Sequence, residues 1–296
     1  MINKNNLHLK VVLQALLVTF LWSTSWVLIK FGLKNIPPLT FAGLRYTIAF
    51  ICLIPILIFS KNIKAELLNI KFTDLKKIIL LGILFYAVTQ GAQFFGLKYL
   101  PAVAVTLVLT FTTIVVAIFG IIFLKERPNN LQWGGIFVST IGSVIYFYPV
   151  TISGDQIFGL LIVIVGMIAN ALSSILGRNI NKKGNLHPIT VTVLSMGVGS
   201  IILLFSGIFV QGIPELDFSN WALIIWLAIV NTAFAFTLWN HTLKTLTATE
   251  SSIINNTMLI QIAILAWIFL GEELTMREIV GLVLVGFGAL VVQLKK

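Results

Sequence analysis

Residues 97–128, LKYLPAVAVTLVLTFTTIVVAIFGIIFLKERP, recur in altered form as residues 243–274, LKTLTATESSIINNTMLIQIAILAWIFLGEEL. Set side by side without a gap, they match Leu97 with Leu243, Lys98 with Lys244, Leu100 with Leu246 and Ala102 with Ala248. Further on, Ala117 meets Ala263, Ile118 meets Ile264, and Ile122-Phe123-Leu124 meets Ile268-Phe269-Leu270. Glu126 then falls on Glu272, Gly135 on Gly281 and Gly142 on Gly288. Common apolar residues coincide by chance; two glutamates that each close an apolar run at the same step do so less easily. The chain therefore reads as two copies of one unit, residues 1–150 and 151–296.

Hydrophobic residues make up 58% of the chain and charged ones 10%, a balance that keeps no soluble fold of this length in solution. The reading is an all-α integral membrane protein. The formal charge of +10 belongs with cytoplasmic loops rather than with nucleic acid, because Lys and Arg gather on that side of membrane proteins. Cys52, alone in an apolar run, forms no internal disulfide and reads as a small core residue. The first apolar run is longer than a signal-peptide core and lacks a small-x-small cleavage site, so it is expected to remain as a span.

A spanning helix takes about 20 mostly apolar residues, and ten such segments fit: 11–31, 38–59, 76–98, 101–124, 131–149, 157–178, 188–210, 220–241, 248–270 and 276–293. The joins carry turn and charge signals, among them Pro37-Pro38, the stretch 61–77, Pro128-Asn129-Asn130 and Lys182-Lys183-Gly184. With both termini in the cytoplasm, Lys125, Arg127, Arg178, Lys182, Lys183 and most other bases fall inside, while Glu215, Asp217, Glu272 and Glu278 fall outside. Five spans per copy then make the copies an inverted pair. Such repeats suit alternating access, in which a central site opens to one side and then the other; a duplication that only supplied a stable bundle is the plainer reading.

Leu124-Lys125-Glu126-Arg127-Pro128 followed by Gly135 and Gly142, echoed by Leu270-Gly271-Glu272-Glu273-Leu274 with Gly281 and Gly288, resembles the paired signature of the EamA family. These are ten-span members of the drug/metabolite transporter superfamily. Trp22-Ser23 and Leu44-Arg45-Tyr46 also resemble the family's first-repeat entry. The resemblance covers nearly the whole chain and implies a cell (inner) membrane carrier of a small-molecule solute, with no cofactor and no enzymatic activity. Two departures stand out. The family's mid-span prolines in the fourth and ninth spans are replaced by Thr112-Thr113 and Met258-Leu259, and residues 11–31 lack the acid that four-span multidrug relatives use for proton exchange.

Polar side chains deep in hydrocarbon need a partner or a water-filled cavity. The candidates for lining a substrate site are Trp22, Tyr86, Gln90, Thr110, Asn170, Asn231, Asn256 and Gln261; interhelical hydrogen bonding is the plainer alternative for each. Trp22, near the middle of its span, suits a cavity wall that stacks on a planar or cationic solute. Trp133, Trp221, Trp239 and His241, near span ends, read as interfacial anchors. Arg45 lies about 10 Å into its span. It either attracts the carboxylate of an amino acid or snorkels to the outer headgroups, and the second is preferred because Tyr46 beside it suits an interface. Glu250 is the coupling candidate for a proton or other ion, against the plainer role of complementing a helix dipole. His8, His187 and His241 form no metal set, and no phosphate-cradling GxxxxGK[ST] loop is present.

The expected solute is small and polar or zwitterionic, an amino acid or related compound moved outward. A sugar-phosphate or nucleotide-sugar exchanger would need several buried cations, where only Arg45 qualifies. A membrane-embedded enzyme lacks a midplane His/Asp/Glu set, and a non-transporting assembly partner would lack extramembrane surface.

Overall fold

The computed structural model describes residues 4–100, 102–149, 154–270 and 274–293. Every regular element among them is helical. Helix α1 spans Lys4–Gly32, α2 Pro38–Phe59 and α3 Lys61–Leu68. Helix α4 (Phe72–Gly82) runs through a π-helical stretch, Ile83–Thr89, into α5 (Gln90–Tyr99). Then come α6 (Ala102–Thr110), α7 (Thr112–Phe119) with a π-helical end at Gly120–Leu124, and α8 (Asn130–Phe147). The remainder comprises α9 (Ile157–Lys183), α10 (Pro188–Gln211), α11 (Phe218–Ala228), a π-helical stretch at Ile229–Phe234, α12 (Ala235–Thr242), α13 (Ala248–Asn256), α14 (Met258–Leu270) and α15 (Met276–Gln293).

Seven helical runs among the described residues are long and apolar enough to cross a membrane. They are His8–Ile29, Pro38–Phe59, Leu107–Leu124, Ile157–Lys183, Pro188–Gln211, Phe218–Thr242 and Ala248–Phe269. The other three expected segments are helical as well: α4 through α5, which opens with Asp74, Lys76 and Lys77, and α8 and α15, of 18 residues each. Helix α3 lies in the stretch that the sequence marked only as a join. Pro101, Glu272 and Glu273 lie outside the described residues.

Helix starts follow local chemistry. Asn129 accepts from the Gln132 amide and Gln132 reciprocates, a capping box at the start of α8. At the matching step, Thr275 and Glu278 make the same exchange at the start of α15. The elements recur at the offset that aligns the two sequence stretches: α4 and its π stretch begin in register with α11 and its π stretch, α6 with α13, and α8 with α15. In both π stretches a threonine hydroxyl donates to the carbonyl five residues back, Thr89 to Leu84 and Thr232 to Leu227, each at 2.8 Å.

The absent prolines do not leave straight helices. Phe111 and Thr257 interrupt α6–α7 and α13–α14 at corresponding places, each taking a tightened turn in which the amide donates three residues back, to Val108 and Ile254. The hydroxyls of Thr110 and Thr257 also donate to carbonyls, those of Leu107 at 2.7 Å and Ile254 at 2.6 Å. Such back-bonding competes with the helical ladder and often bends it.

Small residues set the closest contacts. Helix α8 lies against α15 with Gly135 facing Gly288 and Gly142 facing Gly281: a Cβ on Gly135 would stand 2.6 Å from the Gly288 carbonyl oxygen, and one on Gly281 2.7 Å from that of Gly142. Helix α2 lies against α10 through Gly43 and Gly207. Helix α1 packs on α12, α13 and α14, whereas α9 packs on α5, α6 and α7. The central core gathers Tyr46, Tyr86, Met196 and Phe236. Leu13, Leu17, Phe205, Phe209, Phe287 and Leu290 face outward, an apolar exterior suited to hydrocarbon rather than water. Cys52 joins that exterior and is exposed, not a core residue, because its face of α2 points away from α10.

Candidate functional site

The interior where α1 meets α11–α14 is polar although it lies within apolar helices. Gln261 on α14 links three hydroxyls: its Oε1 accepts from Ser23 at 2.9 Å, and its Nε2 donates to Thr19 at 3.1 Å and Thr257 at 3.4 Å. Asn256, at the end of α13, donates to the Thr110 carbonyl oxygen at 3.5 Å. Ser252 donates to Thr113 at 3.2 Å. Asn256 and Gln261, on either side of the break at Thr257, reach different neighbours, α6 and α1.

A second group surrounds the π stretch between α11 and α12. Asn231 is fully buried, and its Nδ2 donates to the Leu21 carbonyl oxygen, to Thr24 at 3.0 Å and to Ser25 at 3.4 Å. Arg45, 7% exposed, donates through Nε to Thr232 at 2.7 Å and through Nη2 to the Asn231 carbonyl oxygen at 3.3 Å. Its guanidinium also lies 5.4 Å from the Tyr46 ring centre. The headgroup-facing Arg45 preferred from sequence is thus corrected. Depth along one helix left the π stretch after α11 out of account, and its Asn231 and Thr232 meet this face.

The aromatic candidates converge on Phe236. Trp22 lies 4.9 Å from it and 5.1 Å from Trp239, centre to centre, and Tyr86 lies 5.3 Å from it. Trp239 is buried in this cluster rather than anchored at an interface. Gln90 and Asn170 stand apart on α5 and α9, half-buried, and their side chains bond to no described residue.

This interior seam between α1 and α11–α14 therefore holds six of the eight sequence-derived candidates: Thr110, Asn231, Asn256 and Gln261 are hydrogen-bonded across it, and Trp22 and Tyr86 meet through the Phe236 ring. A concavity of about 410 Å³ lies elsewhere, on the outer face of α1 beside Leu9, Leu13 and Leu17. In this conformation the amides of Asn231, Asn256 and Gln261 are bonded across the seam, while Asn231 Oδ1 and Trp22 Nε1 are buried without a partner.

Glu250 is buried and completes a capping box on α13: it accepts from the Thr247 amide at 2.9 Å and hydroxyl at 3.1 Å, while Thr247 accepts from the Glu250 amide. His8 Nε2 stands 3.8 Å away. Glu250→Gln preserves the box, so it is expected to keep both stability and the response of flux to an imposed proton gradient. Glu250→Ala should cost about 1 kcal/mol of stability. Flux measured under a pH gradient checks this, and a response lost in Glu250→Gln would assign the residue to coupling.

Sequence reasoning missed the ionic cluster at the end of the bundle that carries Lys125 and Lys182. Left-handed Lys125 (φ 57°) turns the chain after α7, and Glu126 reaches Arg178 at 3.1 Å, Lys182 at 3.2 Å and the Ala248 amide at 3.1 Å. Arg178 also donates to the Leu243 carbonyl oxygen at 2.6 Å. Behind it, Asn181 donates to Asn240 at 2.9 Å, and Asn240 donates to Thr192 at 3.0 Å. The available signal was a lone acid amid bases.

A family model described as "EamA-like transporter family" matches the chain twice, over residues 9–148 and 157–294. The chain belongs to the EamA-like transporter family. This makes it a multi-pass membrane protein and implies a small-molecule solute. Among similar proteins, an "uncharacterized transporter" of Archaeoglobus fulgidus is 30% identical over 97% of this chain and 99% of its own. A Salmonella typhimurium protein named "probable amino-acid metabolite efflux pump" is 27% identical over 93% of this chain and 91% of its own. A solved crystal structure superposes with a TM-score of 0.81 at 16% identity over 96% of both chains, which shows a shared fold.

Proposed function

We propose that this EamA-family chain is a secondary carrier of the cell membrane that exports a small polar or zwitterionic metabolite by alternating access. The observation that carries the reading is the seam itself. Neutral amide side chains on α13, α14 and the π stretch after α11 bond to hydroxyls of α1 and to a carbonyl oxygen of α6, and such weak bonds can be exchanged for bonds to a polar solute; in membranes they average about 0.6 kcal/mol each. Export and an amino-acid-like solute are further supported by the name of the Salmonella relative.

In this reading residues 1–150 and 151–296 are two inverted five-helix copies, ten spans in all, with both termini cytoplasmic. Support comes from the recurrence of helices, π stretches and breaks at one offset. It comes also from the crosswise glycine pairs of α8 and α15, which are what a two-fold relation between antiparallel copies produces. Each copy's first helix crosses to the other copy, α1 to α12–α14 and α9 to α5–α7, so that movement of one against the other opens the seam.

The test is uptake or counterflow in proteoliposomes with amino acids, nucleobases and sugar phosphates, with and without a proton gradient. Movement of an amino-acid-like solute is expected; movement of phosphorylated solutes alone, or of none, would defeat the reading. Gln261→Leu and Asn256→Leu are expected to lower that flux about tenfold or more while leaving membrane insertion unchanged. Full flux in both variants would remove them from the solute path.

A further inference from the structure

We propose that Arg45 and Asn231 form the recognition site for the carboxylate and ammonium of one α-carbon, so that the solute is a free α-amino acid or a close relative bearing both groups. This rests on the carrier reading above and narrows its cargo.

The first observation is an uncompensated cation. Arg45 sits in the second turn of α2, 7% exposed, and no acid among the described residues pairs with it; the ion pairs there belong to Glu126 and Glu250. Its partners are neutral, the Thr232 hydroxyl and the Asn231 carbonyl oxygen. These engage two of the five N–H donors of a guanidinium, whose planar fork otherwise suits a carboxylate. A lone charge within a span marks a functional site by default, because hydrocarbon gives it no solvation.

The second observation is independent. Asn231 is fully buried and its Nδ2 is engaged by α1, yet its Oδ1 has no hydrogen-bond partner. A buried amide oxygen left in this condition needs a donor. An unpaired acceptor repels an anion and suits an ammonium. It therefore complements the guanidinium, and the 3.3 Å bond between Arg45 and the Asn231 backbone keeps the two on adjoining groups. The Trp22 Nε1, also buried and unpartnered, adds a donor on the α1 side. A purely structural Arg45, pinning the π stretch, accounts for its two bonds but for neither the missing counter-charge nor the orphaned Oδ1. A doubly charged phosphate ester would meet only one cation here.

Helix α1 holds this site shut in the present conformation, since the Asn231 amide is bonded to Leu21, Thr24 and Ser25. Entry of the solute requires those bonds to be given up.

Proteoliposomes containing the full chain are tested with radiolabelled free L-amino acids and with their α-amides, which lack the carboxylate. Thermal unfolding of the detergent-purified protein is followed with the same compounds. A free acid should move and raise the unfolding midpoint, with its amide poorer by at least about tenfold. Asn231→Leu removes the Oδ1 acceptor and leaves the backbone carbonyl that Arg45 bonds; it should abolish both responses to the free acid. Arg45→Gln, which keeps a donor for Thr232, should abolish them as well. Equal movement of acid and amide, or undiminished flux in folded Asn231→Leu or Arg45→Gln, would overturn the proposal. Movement only of solutes without a carboxylate would overturn it and leave the carrier reading standing. A midpoint shift by the free acid without flux of any compound would do the reverse.

Discussion

Gly288→Leu is expected to prevent the chain from accumulating as a folded, monodisperse protein. A Cβ at that position would stand 2.5 Å from the Gly135 carbonyl oxygen, 2.6 Å from the Ser139 amide nitrogen and 2.8 Å from the Ser139 Cβ. Two of these three obstacles are backbone, which does not move aside as a side chain would. Overpacking of a close interface costs about 1–3 kcal/mol where neighbours can adjust, and here α8 and α15 would have to separate along their length. Gly142→Leu should behave in the same way, because its Cβ would meet the Gly281 carbonyl oxygen at 2.6 Å. Gly134→Leu is the control: one residue from Gly135, its added Cβ meets nothing within 4 Å, and it should fold normally. Size-exclusion profiles and unfolding midpoints of the three variants check the claim, and a well-folded Gly288→Leu would contradict it.

The second large effect is expected at Glu126. Its side chain is 11% exposed and that of Arg178 6%, so removing the acid strands a buried cation. Loss of one partner from such a pair costs about 3–5 kcal/mol; Lys182, half exposed at 51%, adds little because surface pairs are screened. The same carboxylate accepts from the Ala248 amide at the start of α13, joining the end of α7 to α9 and α13. Glu126→Ala should therefore lower the unfolding midpoint and loosen this end of the seam. A reporter is Thr242→Cys in a Cys52→Ser background, since Thr242 is fully buried and its hydroxyl bonds only within its own helix, to Trp239. Maleimide labelling there should quicken about tenfold or more on adding Glu126→Ala, an opening shift of about 1.4 kcal/mol. Unchanged labelling and stability would mean that the cluster neither holds nor closes this end.

Much of the scaffold is readable from the chain because it follows from one-dimensional signals. The glycines that admit α8 to α15 recur at the same steps as the glutamates that close the preceding apolar runs. Pro38 and Pro188 open α2 and α10 where the hydropathy pattern begins. What stays hidden depends on neighbours. Arg45 looks close enough to an aqueous surface to snorkel until the π stretch after α11 is packed over it, and Trp239 looks like a boundary residue until Trp22 arrives from a helix far earlier in the chain. The breaks at Phe111 and Thr257 carry no proline, so the usual marker is missing, and the hydroxyl back-bonding that accompanies them is common in helices that stay straight. Gln261 and Asn256 were legible as polar groups in apolar spans; that they bond across a seam, to Ser23 and Thr110, required the fold. Gln90 and Asn170, equally polar by sequence, stand outside that network.

The central claim is that the seam between α1 and α14 must open for solute to pass. Ser23 and Gln261 face each other there at 2.9 Å, so a Ser23→Cys, Gln261→Cys pair in a Cys52→Ser background can be joined by oxidation or a short thiol crosslinker in proteoliposomes. The residual flux of the unlinked double variant, itself lowered by loss of the Gln261 amide, should stop when the link forms and return to that residual level when a reductant cleaves it. Undiminished flux through fully crosslinked protein would contradict the account.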